Sequence, residues 1–157
     1  MNIVFDLDGT LIDSAPDIHF VACSLLRELG REEISLDEAR SFIGEGSGVF
    51  VSRMMAARGL ASEPGLHAEL LGLFVSGLEA SVELASFYAG VPELLNQLSS
   101  TGYMLGLCTN KPEGPTRALI RHMGIEASFS AVIAGGMLEH RKPAPSARQF
   151  HCHPRRG

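Results

Sequence analysis

Short apolar runs that stop at polar clusters alternate along this chain with stretches whose apolar residues recur every three or four positions. Ile3, Val4 and Phe5 form the first run, halted by Asp6, and predict a buried strand that ends in polar chemistry. From Pro16 the spacing turns helical. Asp17 falls in the first turn, Ile18, Val21, Leu25, Leu26 and Leu29 share a face, and Gly30 supplies the stop. Further helices are predicted over 36–42, 49–57 and 66 to about 84, with Gly44 to Gly48 as a loop between the first two. Beyond Tyr88-Ala89-Gly90 the pattern predicts a helix over 92–98 stopped by Gly102 and a strand over 103–108. A helix over 116–123 closed by Gly124 and a strand over 131–134 follow.

Strands alternating with helices predict an α/β fold with a Rossmann-like parallel sheet. Residues 15–88 are far more than one crossover needs, so they are read as an inserted α-helical cap. Residues 1–14 and 89–145 then make the α/β core, and 146–157 an atypical tail.

Composition narrows the class. The 157 residues are 45% hydrophobic and 20% charged, which excludes a disordered or low-complexity chain. A net charge of −5 argues against a nucleic-acid binder that works by non-specific electrostatics. No apolar run approaches the roughly 20 residues of a membrane helix. Asp6 and Asp8 without a basic flank speak against a signal peptide. Cys23, Cys108 and Cys152, odd in number and scattered, fit a reducing compartment, so a cytoplasmic protein is expected.

The candidate chemistry lies where the predicted strands end. Asp6, Asp8, Gly9 and Thr10 follow the first, Thr109, Asn110 and Lys111 the second, and Lys142 the third. In an open parallel sheet all carboxyl ends lie on one edge, where ligands bind. Two neighbouring carboxylates repel unless a cation intervenes, and the natural cation for oxygen donors is Mg2+. A hydroxyl, backbone N–H groups and a Lys ammonium suit phosphate. The combination points to metal-assisted phosphoryl transfer. Asp6 is the expected nucleophile and Asp8 the general acid and base, while Gly9 removes bulk where the backbone turns. Lys142 and Mg2+ would offset the charge of nucleophile and phosphate.

Val4-Phe5-Asp6-Leu7-Asp8-Gly9-Thr10-Leu11 resembles the first motif of the haloacid dehalogenase superfamily, and Thr109-Asn110 and Lys142-Pro143 resemble its second and third. The helical insertion resembles the superfamily's small-bundle cap. Leu11-Ile12-Asp13-Ser14, Ile43-Gly44-Glu45-Gly46, Cys108-Thr109-Asn110-Lys111-Pro112 and Arg141-Lys142-Pro143-Ala144-Pro145 look most like the phosphoglycolate phosphatase branch. The resemblance implies a Mg2+-dependent phosphomonoesterase. Asp6 would be its nucleophile, Asp8 its acid and base, and Lys142 would position charge. Thr109 and Asn110 would bind phosphate, with Gly9, Thr10 and Lys111 beside them. It implies that the Asp6 side chain and the Asp8 backbone carbonyl hold the metal with acids of a fourth motif. The implied partner is a small phosphorylated metabolite such as 2-phosphoglycolate, with neither nucleic acid nor membrane; oligomeric state is not read.

The chain departs from that pattern after Glu139, its last acidic residue: 146–157 hold no acid and no apolar strand. A truncated or frame-shifted product is expected, and with it an uncovered apolar edge beside the first strand, which is central in the superfamily. Two other readings stay open: a catalytically impaired chain that only binds a ligand or partner, and a sugar-phosphate mutase of the same superfamily. Arg53 is weighed as a contact for a substrate carboxylate against a surface arginine, and Lys111 as a phosphate contact against a loop-surface lysine. Cys108 is read as a small buried hydrophobe, and His151-Cys152-His153 as a tail without partner ligands.

Overall fold

The structure is a computed structural model that describes residues 2–61, 63, 65–137 and 142. Strand β1 (Asn2–Phe5) runs parallel to β4 (Met104–Pro112), and β4 runs parallel to β5 (Ala131–Gly135), giving the sheet order β1-β4-β5. Phe5 pairs with Leu107 and Cys108 with Ile133, so the carboxyl ends of all three strands fall at one level. Helices α5 (Val91–Ser100) and α6 (Glu113–His122) pack on this sheet. Leu95 of α5 and Leu119 and Ile120 of α6 meet Leu7, Leu105, Leu107 and Phe129 in one apolar cluster. A single 3₁₀ turn, Glu126–Ser128, leads into β5.

Helices α1 (Ala15–Glu28), α2 (Leu36–Phe42), α3 (Ser47–Ala57) and α4 (Leu66–Ala80) enclose a second apolar cluster of their own. Its centre is aromatic: the Phe50 and Phe74 rings stack with centroids 4.8 Å apart, and Phe42 meets Phe50 edge-on at 5.8 Å. Helix α2 begins at a capping box, in which the Glu38 amide donates to Ser35 Oγ and the Ser35 amide to a Glu38 carboxylate oxygen.

Four details differ from the sequence expectation. Strand β1 is not buried. Among the described residues it pairs with β4 alone, and an edge position leaves Val4 46% exposed. Helix α4 stops at Ala80, not near Leu84, because Asp17 Oδ1 accepts hydrogen bonds from Ser81 Oγ and the Leu84 amide, each 3.1 Å long, and so draws that segment out of helix. Strand β4 continues to Pro112, past its expected end at Cys108, with a register shift between Cys108 and Pro112. Finally, β2 (Ile12–Asp13) and β3 (Ser86–Phe87) pair antiparallel where the chain enters and leaves the helical layer. Two residues per strand are too few to leave a period in the sequence.

The expected tail, residues 146–157, lies outside the described residues, as do Arg141 and Pro143. No described helix is long and apolar enough to cross a membrane.

Candidate active site

The turn after β1 is built by its backbone. The amides of Thr10, Leu11 and Ile12 all converge on the Leu7 carbonyl, and the Gly9 amide donates to Ile12 O at 3.0 Å. Gly9 sits at φ +76°, where a side chain would be strained, so the glycine is required by the turn. Leu7 is buried in the apolar cluster against the sheet, which leaves its neighbours Asp6 and Asp8 at the carboxyl edge of the sheet.

Each of these aspartates meets a lysine. Lys142 Nζ lies 2.6 Å from Asp6 Oδ1, and Lys111 Nζ lies 3.1 Å from Asp8 Oδ1. Lys111 and Lys142 are the only lysines in the chain. The two pairs differ in solvation: the side chains of Asp6 and Lys142 are 45% and 19% exposed, those of Asp8 and Lys111 only 14% and 5%. Asp6 is the accessible carboxylate, further oriented by the Leu7 amide at 2.8 Å. Asp8 is the enclosed one, and it also accepts a hydrogen bond from the buried Ser14 hydroxyl.

The end of β4 supplies the other wall. Thr109 is buried, and its Oγ1 accepts from the Lys111 amide at 3.1 Å. Asn110 bridges elements: its amide nitrogen donates to the Gly44 carbonyl at 2.9 Å, and its Oδ1 accepts from the Lys142 amide at 3.0 Å. The cleft between sheet edge and helices is thus bounded below by Asp6, Asp8, Thr109, Asn110 and Lys111. Ile43, Gly44 and Gly46 of the α2–α3 loop and Ser47 at the start of α3 line its upper side, with Phe50, Phe74 and Leu78 behind them. A charged floor under an apolar roof admits a small ligand with one strongly anionic end.

The sequence-predicted residues Asp6, Asp8, Thr109, Asn110 and Lys111 all line one cleft, and Lys142 reaches it through Asp6. Gly9 and Thr10 are exposed and do not line it. Asn110 was expected to bind phosphate, whereas here its amide is engaged by Gly44 and Lys142. Lys111 is no loop-surface residue: it is buried. Arg53 pairs with Glu45 and donates to the Phe42 carbonyl at 3.3 Å, which ties it to the loop on its own side of the cleft. Cys108 is buried beside Ile133, as expected.

Ser14 is the residue that sequence reading passed over. The sequence marks it as a hinge into the helical insertion and not as a site residue; its place six residues after Asp8, at the mouth of α1, is the available signal. Nearby, Arg40 clamps Asp13 through two hydrogen bonds of 2.8 and 3.1 Å, and that guanidinium holds the Asp13 carboxyl below the usual carboxylate range.

The donor set at Asp6 and Asp8 is hard oxygen, the chemistry that Mg2+ takes from one or two carboxylates while keeping several waters. Among the described residues no group of three or more His, Cys, Asp or Glu side chains gathers around a common point. The two aspartates therefore fit a hydrated Mg2+, and do not form a complete protein cage.

A phosphoglycolate phosphatase of Cereibacter sphaeroides is 43% identical over 145 residues, 92% of this chain and 66% of the relative. One of Rhodobacter capsulatus is 41% identical over 143 residues, 91% of this chain and 65% of the relative. The chain thus spans slightly less than two thirds of the length of these curated relatives. The crystal structure of a predicted phosphoglycolate phosphatase from Haemophilus somnus superposes with a TM-score of 0.86 at 27% identity, covering 92% of this chain and 67% of that one. Residues 3–151 match the profile of the haloacid dehalogenase-like hydrolases, a span that takes in both aspartates, both lysines and the helices above them. By that match, and by the fold that carries it, this chain belongs to the haloacid dehalogenase-like hydrolase family.

Proposed function

We propose that the protein hydrolyses a small phosphate monoester, of which 2-phosphoglycolate is the leading candidate, by way of an aspartyl-phosphate on Asp6. The observation that carries this reading is the pairing of an accessible carboxylate, Asp6, and an enclosed one, Asp8, each with its own ammonium, on the floor of one cleft. Such a site holds a nucleophile and a proton-transfer group two residues apart, with positive charge beside both.

In the proposed reaction an Asp6 oxygen attacks phosphorus and the ester P–O bond breaks. The leaving alkoxide takes a proton from Asp8. A water then attacks the phosphorus of the acyl-phosphate, gives its proton to Asp8, and releases inorganic phosphate with the Asp6 carboxylate restored. Lys142 offsets charge where two anions must approach, and Lys111 holds Asp8. Asp6, with the Asp8 carbonyl, would hold Mg2+, which when bound supplies charge neutralisation at the phosphoryl oxygens. The helical layer acts as a cap: the apolar roof excludes water, and the Gly44 loop, joined to Asn110, closes the cleft over the ligand. The cytoplasm is the compartment that fits three scattered cysteines.

The names of the relatives favour phosphoglycolate as substrate. A second reading, ligand binding without turnover, is favoured by the absence of a third acidic side chain near Asp6 and Asp8 among the described residues. Mg2+-dependent phosphate release from 2-phosphoglycolate by the 157-residue chain separates the two, with Asp6→Asn and chelator as controls. Release that both controls abolish supports hydrolysis; a folded chain that binds the ester and releases nothing supports the binding reading. A phosphate transferred within a sugar phosphate and not liberated would instead mark a mutase.

A further inference from the structure

Asp17, in the first turn of α1, is 3% exposed. Its Oδ1 is satisfied by Ser81 and Leu84, but Oδ2, fully buried, meets no hydrogen-bond donor among the described residues. A buried carboxylate oxygen without a donor is costly, so its surroundings should supply one. On the other side of a small cavity stands Lys111, whose ammonium has three donors and, among the described residues, one recorded acceptor, Asp8. The same cavity is lined by Ser14 and Ser81 and by the apolar residues Leu78, Val82 and Leu119. It is about the size of one water molecule. A cation is disfavoured there by the ammonium, and an anion by the carboxylate.

We propose that one buried water fills this cavity and bridges Lys111 Nζ to Asp17 Oδ2, which makes Asp17 a positioning residue for Lys111 and, through it, for Asp8. The hydrogen bonding balances. The water accepts from the ammonium, donates one hydrogen to Asp17 Oδ2 and the other to a Ser14 or Ser81 oxygen, whose own hydrogens are already given to Asp8 and Asp17. Asp17 also joins the start of α1 to the segment that returns from α4, so the chain's two passages into the helical layer and the floor of the cleft share one carboxylate. The structural part of this inference stands without the proposed hydrolysis; only its kinetic readout rests on that reading.

A high-resolution crystal structure of the full chain is the first test. Density within hydrogen-bond distance of both Asp17 Oδ2 and Lys111 Nζ is expected, and a dry cavity or a direct Asp17–Lys111 contact overturns the proposal. The second test uses the fact that the chain has only two lysines. With 15Nζ-labelled lysine the two ammonium signals are assigned by the loss of one in Lys142→Met. Asp17→Asn keeps an acceptor for Ser81 and Leu84 but can turn a donor toward the water. It should shift or broaden the Lys111 signal and leave that of Lys142 in place. If the wild-type chain releases phosphate, Asp17→Asn should lower kcat about tenfold with little change in KM. Arg40→Ala, which removes the ion pair with Asp13 near the same junction, should lower the melting temperature without moving the Lys111 signal. A Lys111 signal unchanged in folded Asp17→Asn overturns the positioning role whether or not the chain is a phosphatase.

Discussion

Gly135 at the end of β5 lies against the carbonyl of Asn110: a Cβ built there would stand 2.3 Å from that oxygen. The β4 segment that carries Thr109, Asn110 and Lys111 is thus held from behind by a residue with no side chain. Gly135→Ala should push this segment toward the cleft, at an overpacking cost of about 1–3 kcal/mol. A lowered melting temperature together with impaired binding of a phosphate ester is the expected result. A variant with wild-type values in both would remove Gly135 from any part in shaping the site.

Lys142 stands beside the accessible Asp6, and its loss would leave the proposed nucleophile and the incoming phosphate facing each other without that charge. Lys142→Met should cut phosphate release by about 100-fold or more. Steady-state assays against 2-phosphoglycolate would check this, and a change of less than threefold would contradict the role given to the lysine.

Asn110 holds the Gly44 carbonyl with its amide nitrogen, which couples the sheet edge to the loop above the cleft. Asn110→Asp replaces that donor with an acceptor and sets two oxygens against each other. Hydrogen exchange at the amides of residues 44–47 should accelerate while exchange in α5 stays as it was.

Phe74 is buried and stacked on Phe50, so truncation opens a void in the helical cluster behind the cleft. Phe74→Ala should cost about 3–5 kcal/mol, a fall of roughly 6–20 °C in Tm for a chain of this size. Calorimetry or circular dichroism would measure it.

The Arg58 guanidinium, helped by the Ser35 amide of the capping box, pulls the Glu38 carboxyl from 4.5 down to about 2. A carboxyl depressed on folding adds stability that is complete above its ordinary value and disappears as pH falls toward the folded one. The urea midpoint of the wild type should therefore exceed that of Glu38→Gln at pH 6, and the gap should close between about pH 4.5 and 2.

Much of this architecture is local in origin. Helices α1, α2, α3, α5 and α6 and strands β4 and β5 follow from apolar spacing, glycine stops and the Ser35 cap, because each is set by neighbours within one or two turns. The gathering of Asp6, Asp8, Thr109, Asn110 and Lys111 was legible too, since parallel strands put every carboxyl end on one edge.

What the tertiary structure alone decided concerns partners that are distant in sequence. Which lysine serves which aspartate depends on the depth of each group, and depth is a property of the packed layers: buried Lys111 shares a small cavity with residues of α1, α4 and α6. Asn110 also clasps Gly44, because that residue, 66 positions earlier, comes to lie above it. The early end of α4 and the β2–β3 ribbon arise where the chain passes between its two apolar clusters, with Asp17 drawing in residues 64 and 67 positions away. Periodicity records which face of a segment is buried and is silent about what that face is buried against, so these pairings exist only once the layers have met.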